Sequence, residues 1–294
     1  MDWPGARQQF STAPFDSLRE PLDRLKDDAA WPGIARLNAC AGGIKNFRGR
    51  PIQFVANEAA STTVHYETRI AESGEIATRE NWHDFFNAMS WLAFPESKAA
   101  ISEMHARLLS VHGECEIRER SIARDVLTLF DEGGIIVASP DESLLELIRN
   151  FEWHALFVEH RADVEARMRF SLFGHSMLEK ALDPYVGVTA KAILFLVDET
   201  FLGNTRAEQM RHIDQRVAAW LMDEANLSST KKFSPLPWLG IPGWWAENQS
   251  FAFYDNQHYF RSGRLRERGG LVASKLRDTM NAEARQTVAA NLFS

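Results

Sequence analysis

The chain has 294 residues, 45% of them hydrophobic and 25% charged, with a net charge of −7. That length and balance exclude a disordered chain and leave room for a sizeable core, while the acidic balance argues against a nucleic-acid binder. The longest aliphatic run, "AILFLV" at Ala192–Val197, is far below the ~20 residues that span a bilayer, so no membrane segment is expected.

The N-terminal residues "MDWPGARQQF" lack a basic stretch followed by an apolar one, so no signal peptide is read there. The two cysteines, Cys40 and Cys115, match neither a zinc spacing nor a disulfide framework. Reduced thiols in a cytoplasmic, soluble protein are the simplest reading.

Along the chain, "FDSLREPLDRL" and "WPGIARLNACAGG" carry helical apolar spacing, and "RPIQFVA" and "VHYETRI" read as short strands. After the turn "AESGE", Thr78 is the expected N-cap of a helix holding "NWHDFFNAMSW", Asn81–Trp91, which ends near Pro95. "ESKAAISEMHARLLSVHG" resumes helical spacing up to Gly113. "VLTLFDEGGIIVAS" reads as a hairpin, with Asp131 and Glu132 in its turn. "SPDESLLELIRN" opens a helix with Ser139 as N-cap and Pro140 at the first position. One or two helices cover "FEWHALFVEHRADVEARMRFSLFGHSMLEKAL", and "KAILFLVDE" fits a buried strand or a helix segment. "NTRAEQMRHIDQRVAAWLMDEAN" is a long amphipathic helix. The apolar "SPLPWLGIPGWW" must pack onto the body or wall a pocket. "FAFYDNQHYFR" reads as strand, turn, strand. The fold class expected is α+β, a predominantly helical single domain over residues 1–262 with a few short strands and hairpins. Residues 263–294 are expected to form a peripheral, partly mobile tail.

Within the Asn81–Trp91 helix, Trp82, Phe85, Phe86, Met89 and Ala93 share one face. Asp84, Asn87 and Trp91 occupy the opposite side, with His83 at the border. A covered polar face must satisfy its hydrogen bonds with protein or with a ligand. A His beside a carboxylate suits a general base; structural cross-linking is the other reading. In "FGHSMLEK", His175 and Glu179 are four apart and adjoin on one helical face, as metal ligands, a catalytic pair or an ordinary helical pair. His83, Asp84, His105 and His154 are further ligands by type. His154 and Arg161 are seven apart, and Arg261 follows two aromatics; an arginine fork suits carboxylate or phosphate. The chain has no G-x-x-x-x-G-K-[ST], G-x-G-x-x-G, H-E-x-x-H or G-x-S-x-G signature.

The segments "TRENWHDFFNAMSWLAFPESKA", "TLFDEGG", "WHALF", "FGHSMLEK", "PLPWLGIPGWW" and "FYDNQHYFR" occur in that order. As a set they resemble a bacterial family known only as domain of unknown function 3025, over roughly Trp31 to Arg261. The resemblance implies a bacterial protein and marks these polar motifs as hallmarks; it implies no mechanism.

The functional expectation is a hydrolytic or metal-assisted enzyme with a His/Asp/Glu cleft between the Asn81–Trp91 and Gly174–Leu182 helices, roofed by the Pro/Trp segment. His83 or His175 serves as acid or base, and Asp84 or Glu179 as the orienting carboxylate. Asn87, Lys98, Arg161 and Arg261 are the substrate contacts, a divalent metal the cofactor, and a small molecule the ligand. The alternative is a non-catalytic binding module whose polar groups form a buried network, with the Trp-rich segment meeting a protein partner.

Overall fold

The computed structural model describes residues 1–57, 65–110 and 117–263, without the side chains of 117–121. The chain opens with α1 (Trp3–Gln9), a 3-10 helix over Ala13–Leu18, α2 (Arg19–Asp23) and α3 (Ile34–Cys40). Strand β1 (Gln53–Ala56) pairs in parallel with β2 (Glu75–Thr78), with α4 (Tyr66–Ser73) between them. Three helices follow: α5 (Trp82–Ala93), α6 (Pro95–Ser110) and α7 (Ile117–Gly133). Then come β3 (Gly134–Ser139), α8 (Glu142–Arg149), α9 (Arg161–Arg167), β4 (Arg169–Leu172) and α10 (His175–Lys180). The last elements are β5 (Ala190–Leu196), α11 (Thr200–Gly203), α12 (Arg206–Met222) and β6 (Ser234–Leu236). The protein is thus predominantly helical α+β.

The larger sheet has the order β4-β3-β5-β6, with β3 and β5 parallel at its centre and antiparallel edges. Every residue of β3, "GIIVAS", is buried, as a central strand covered on both faces requires. Packing divides the chain into Met1–Phe260 and a second unit beginning at Arg261.

Burial explains α5. Trp82, Phe85 and Phe86 interlock with Trp3, Phe10, Phe15 and Trp31, the Trp31 and Trp82 rings lying 4.6 Å apart, edge to face. On the other side Trp91 is also fully buried. The helix starts at Asn81, whose side chain accepts from the Asp84 amide at 2.8 Å; Thr78 is instead the last residue of β2. Similarly Asp141, not Ser139, caps α8.

Several strand readings are corrected. "VHYETRI" contributes to α4. The hairpin through "DEGG" does not exist, because "VLTLF" is helical. Val126, Leu127 and Phe130 are buried while Thr128 and Leu129 face outward, which is a period of 3.6 and not of 2. The chain passes from α7 directly into β3. "FAFYDNQHYF" forms a 3-10 helix over Phe251–Asp255 and an Asn256 turn whose Oδ1 accepts from the amides of His258 and Tyr259. Strand β4, within a stretch read as helical, completes the sheet edge. Gly113 and Cys115 lie outside the described residues.

The Pro/Trp segment is interior. Trp238, Leu239 and Ile241 are buried, Tyr259 Oη accepts from the Leu239 amide at 3.0 Å, and Asn248 Nδ2 donates to the carbonyls of Leu239 and Ile241. Ile241, Pro242 and Trp244 also wall a cavity of about 270 Å³ with Phe170, Met210 and Arg206. Among the described residues no helix is long and apolar enough to cross a membrane.

Candidate metal centre

Two glycines set the site. A Cβ on Gly174 would lie 2.4 Å from the Glu132 carbonyl and 2.5 Å from the Gly134 amide nitrogen. Gly134 is as crowded, 2.5 Å from the Phe130 carbonyl. The "GG" that reads as a hairpin turn therefore serves close approach of backbones. The Phe173 and Gly174 amides both donate to the Gly134 carbonyl at 3.0 Å. Ser90 Oγ of α5 donates to the Phe173 carbonyl at 3.0 Å. These contacts bring the start of α10, the end of α7 and one face of α5 together.

His83, Glu132 and His175 meet there. The two imidazoles stand edge to face, with centroids 4.4 Å apart and Nε2 facing Nε2 at 3.1 Å. Glu132 Oε1 is 3.4 Å from His175 Nε2, and the three ligand atoms lie within 4.8 Å of one another. Behind each ring stands a carboxylate. Glu179 Oε2 is 3.4 Å from His83 Nδ1, and Asp131 Oδ2 is 3.8 Å from His175 Nδ1. His175 is buried and its Nδ1 has no hydrogen bond at present. His175 and Glu179 thus do not pair with each other: Glu179 stands behind His83, and Asp131 stands behind His175.

The donor set fits a metal ion. Zinc bonds of about 2.0–2.1 Å in a tetrahedron put neighbouring ligand atoms about 3.3 Å apart, close to the 3.1 and 3.4 Å found. When each Nδ1–H faces a carboxylate, both Nε2 atoms present lone pairs to each other. Two lone pairs at that separation repel unless a cation or a proton lies between them. Carboxylates behind metal-binding histidines fix tautomer and orientation in just this way.

A cavity of about 380 Å³ opens on this cluster, lined also by Tyr66 and Glu67 of α4, Arg79, Asn87 and His105. The Pro/Trp segment supplies none of its lining; α4 takes the place expected for that roof. Lys98 is buried, donates to Asn87 Oδ1 at 2.8 Å and to Asp131 Oδ1, and lies 5.9 Å from the Trp91 ring centroid. Burial pushes the Glu67 carboxyl up to about 7, with nearby Asp131 adding to it. Burial pushes His105 down to about 4, so it is neutral. Glu132 is held below the usual carboxylate range, chiefly by its hydrogen bond with His175.

The sequence-read residues divide accordingly. His83, His175, Glu179, Asn87 and Lys98 converge. Asp84 lines the cavity, but both its oxygens are taken by the Arg79 guanidinium at 2.9 and 3.0 Å, and the Arg79 amide adds a third bond at 2.7 Å. Arg161 lines no part of it; its guanidinium donates to the Asn248 carbonyl and the Tyr254 hydroxyl. His154 is exposed beside Glu159. Arg261 is exposed in the second unit. Glu132, Asp131, Tyr66 and Glu67 were not read as site residues. The signal for the first two was the motif "TLFDEGG", misassigned to a turn.

The family model described as "Protein of unknown function (DUF3025)" matches residues 52–264, and the chain belongs to that family. The site residues from Tyr66 to Glu179 all fall inside the matched region. No curated protein and no solved structure matches the chain significantly.

Proposed function

We propose that His83, Glu132 and His175 bind a divalent transition metal and that the adjoining cavity is the active site of a metal-assisted hydrolase. The observation that carries this reading is the face-to-face pair of Nε2 atoms with a carboxylate behind each ring. Three protein ligands leave a fourth position for water, as in catalytic zinc sites, and a bound metal lowers the pKa of that water to ≈7. Glu179 and Asp131 orient the two rings. A cavity of about 380 Å³ suits a small-molecule substrate. Buried Cys40, a free thiol, is in keeping with a reducing, cytoplasmic compartment.

The rival reading is a non-catalytic module, with a proton shared between the imidazoles and the Lys98–Asp131 pair as buried cement. It draws on the burial of Lys98 in that pair. Metal analysis of purified protein with zinc and cobalt titration separates the two. The metalloenzyme reading expects one ion per chain, lost in His83→Ala and His175→Ala variants that keep their fold. Absence of binding, or binding that survives both substitutions, rules it out.

A further inference from the structure

Hydrogen-bond direction in the cavity wall is fixed by Lys98. An ammonium only donates, so the Asn87 atom facing Lys98 at 2.8 Å is the amide oxygen. The Asn87 NH₂ group then points at Tyr66, and Nδ2 donates to the phenol oxygen at 3.1 Å. Tyr66 is therefore an acceptor in that bond, and its own O–H remains to be used. Glu67, its neighbour in sequence, does not take it: Glu67 Oε2 is buried without a partner. Among the described residues no other hydrogen bond of the Tyr66 hydroxyl is present. Tyr66 and Asn87 both line the cavity that opens on His83, Glu132 and His175. Burial and the adjacent Glu67 raise the phenol above its ordinary value, so the proton stays on oxygen at neutral pH.

Resting on the metal-assisted reading above, we infer that Tyr66 is the oxyanion donor of the site, its O–H aimed at a ligand oxygen by the Lys98–Asn87 relay. The chemical class recognised is an oxyanion or a group that becomes one, an acyl or phosphoryl oxygen held beside the metal. Lys98 and Asn87 are positioning residues; they act through the phenol.

Inorganic phosphate is the probe, read by the visible absorption of the Co²⁺-loaded protein. Wild type is expected to take up Co²⁺ and to change its spectrum as phosphate binds. Tyr66→Phe is expected to keep the Co²⁺ affinity while phosphate binds about 10- to 100-fold more weakly, the loss expected of one hydrogen bond to a charged group. Asn87→Asp tests direction. A carboxylate accepts from both Lys98 and Tyr66, so the phenol turns from the cavity, and adding Tyr66→Phe in that background is expected to change phosphate affinity less than about twofold. Unchanged phosphate affinity in Tyr66→Phe overturns the inference, as does joint loss of Co²⁺ and phosphate, or a full Tyr66 effect retained beside Asp at position 87. Wild type that takes Co²⁺ but ignores phosphate overturns it and leaves the metal reading standing. Wild type that takes no Co²⁺ removes the metal reading itself, and the inference with it.

Discussion

Two regions of the molecule mix aromatic and polar residues: the cluster around α5, α7 and α10, and the segment from Trp238 to Phe260. They solve their hydrogen bonding differently. In the second, Tyr254 Oη donates to the Gly240 carbonyl, Tyr259 Oη donates to the Val188 carbonyl, and Arg161 donates to Asn248 and Tyr254. Those groups tie one backbone to another. In the first, no carbonyl takes up the polar atoms that meet at the cavity: His83 Nε2, His175 Nε2 and Glu132 Oε1 face one another, with Glu67 Oε2 buried and unpaired nearby. A buried polar group that finishes on a carbonyl is cement; one that finds no such partner leaves its hydrogen-bonding capacity to a proton, a cation or a ligand. The same residue types therefore mean different things in the two places.

The comparison breaks first at the metal ligands. His83→Ala, His175→Ala and Glu132→Gln should each weaken zinc binding at least about 100-fold in a competition titration with a chromophoric chelator, since each would remove one of the three proposed ligands. Arg161→Met should leave zinc affinity within about twofold and lower thermal stability instead. A zinc loss with Arg161→Met would erase the distinction between the regions.

Next comes the Lys98–Asp131 pair. Lys98 is 3% exposed, and Lys98→Met leaves the half-buried Asp131 carboxylate without its cation. A loss of about 3–5 kcal/mol in denaturant unfolding is expected, with the double variant Lys98→Met/Asp131→Leu recovering part of it. Equal instability of both variants would show that the charge pair is not the cause.

Gly174→Ala should cost about 1–3 kcal/mol by overpacking and weaken zinc binding as well, because the added methyl pushes α10 from the end of α7. Tyr259→Phe, in the cement region, should cost about 1 kcal/mol and leave zinc binding untouched. A Gly174→Ala protein with wild-type zinc affinity would refute the close-approach role.

The smallest effect is a slope. Glu67 is raised from 4.5 to about 7 in the folded chain. The folded state therefore holds that proton more tightly than the unfolded one, and the contribution of Glu67 to stability is lost as pH rises from about 4.5 through about 7, against the opposite contribution of His105, which is lowered to about 4. Glu67→Gln should remove this contribution, so that thermal stability falls less, or rises more, between those pH values than in wild type. Asp214, raised to about 6 by burial, contributes with the same sign. An unchanged slope in Glu67→Gln would place its proton elsewhere.

The sequence made much of this legible where periodicity was clean. The aromatic face of α5 and the long α12 followed from spacing, and Thr205 with Glu208 forms the capping box of α12. His83 and His175 stand out in the sequence as titratable groups at the edges of helical apolar faces. Glu132 did not, because "DEGG" has two physical meanings that a local reading cannot separate: positive φ in a turn, or missing side chains where two backbones nearly touch. The second becomes visible only once Gly174, forty residues later in the chain, is seen against Glu132. Arg161 failed for the converse reason, since nothing local says which of its neighbours will consume its donors.

The central claim is that two imidazoles and one carboxylate share a cation. X-ray absorption on the zinc-loaded protein addresses it directly. The account predicts one zinc per chain with two imidazole nitrogens and carboxylate or water oxygen at about 2.0–2.1 Å, the imidazole signal falling in His83→Ala and in His175→Ala. A zinc shell without imidazole, or one unaltered by both substitutions, would contradict it.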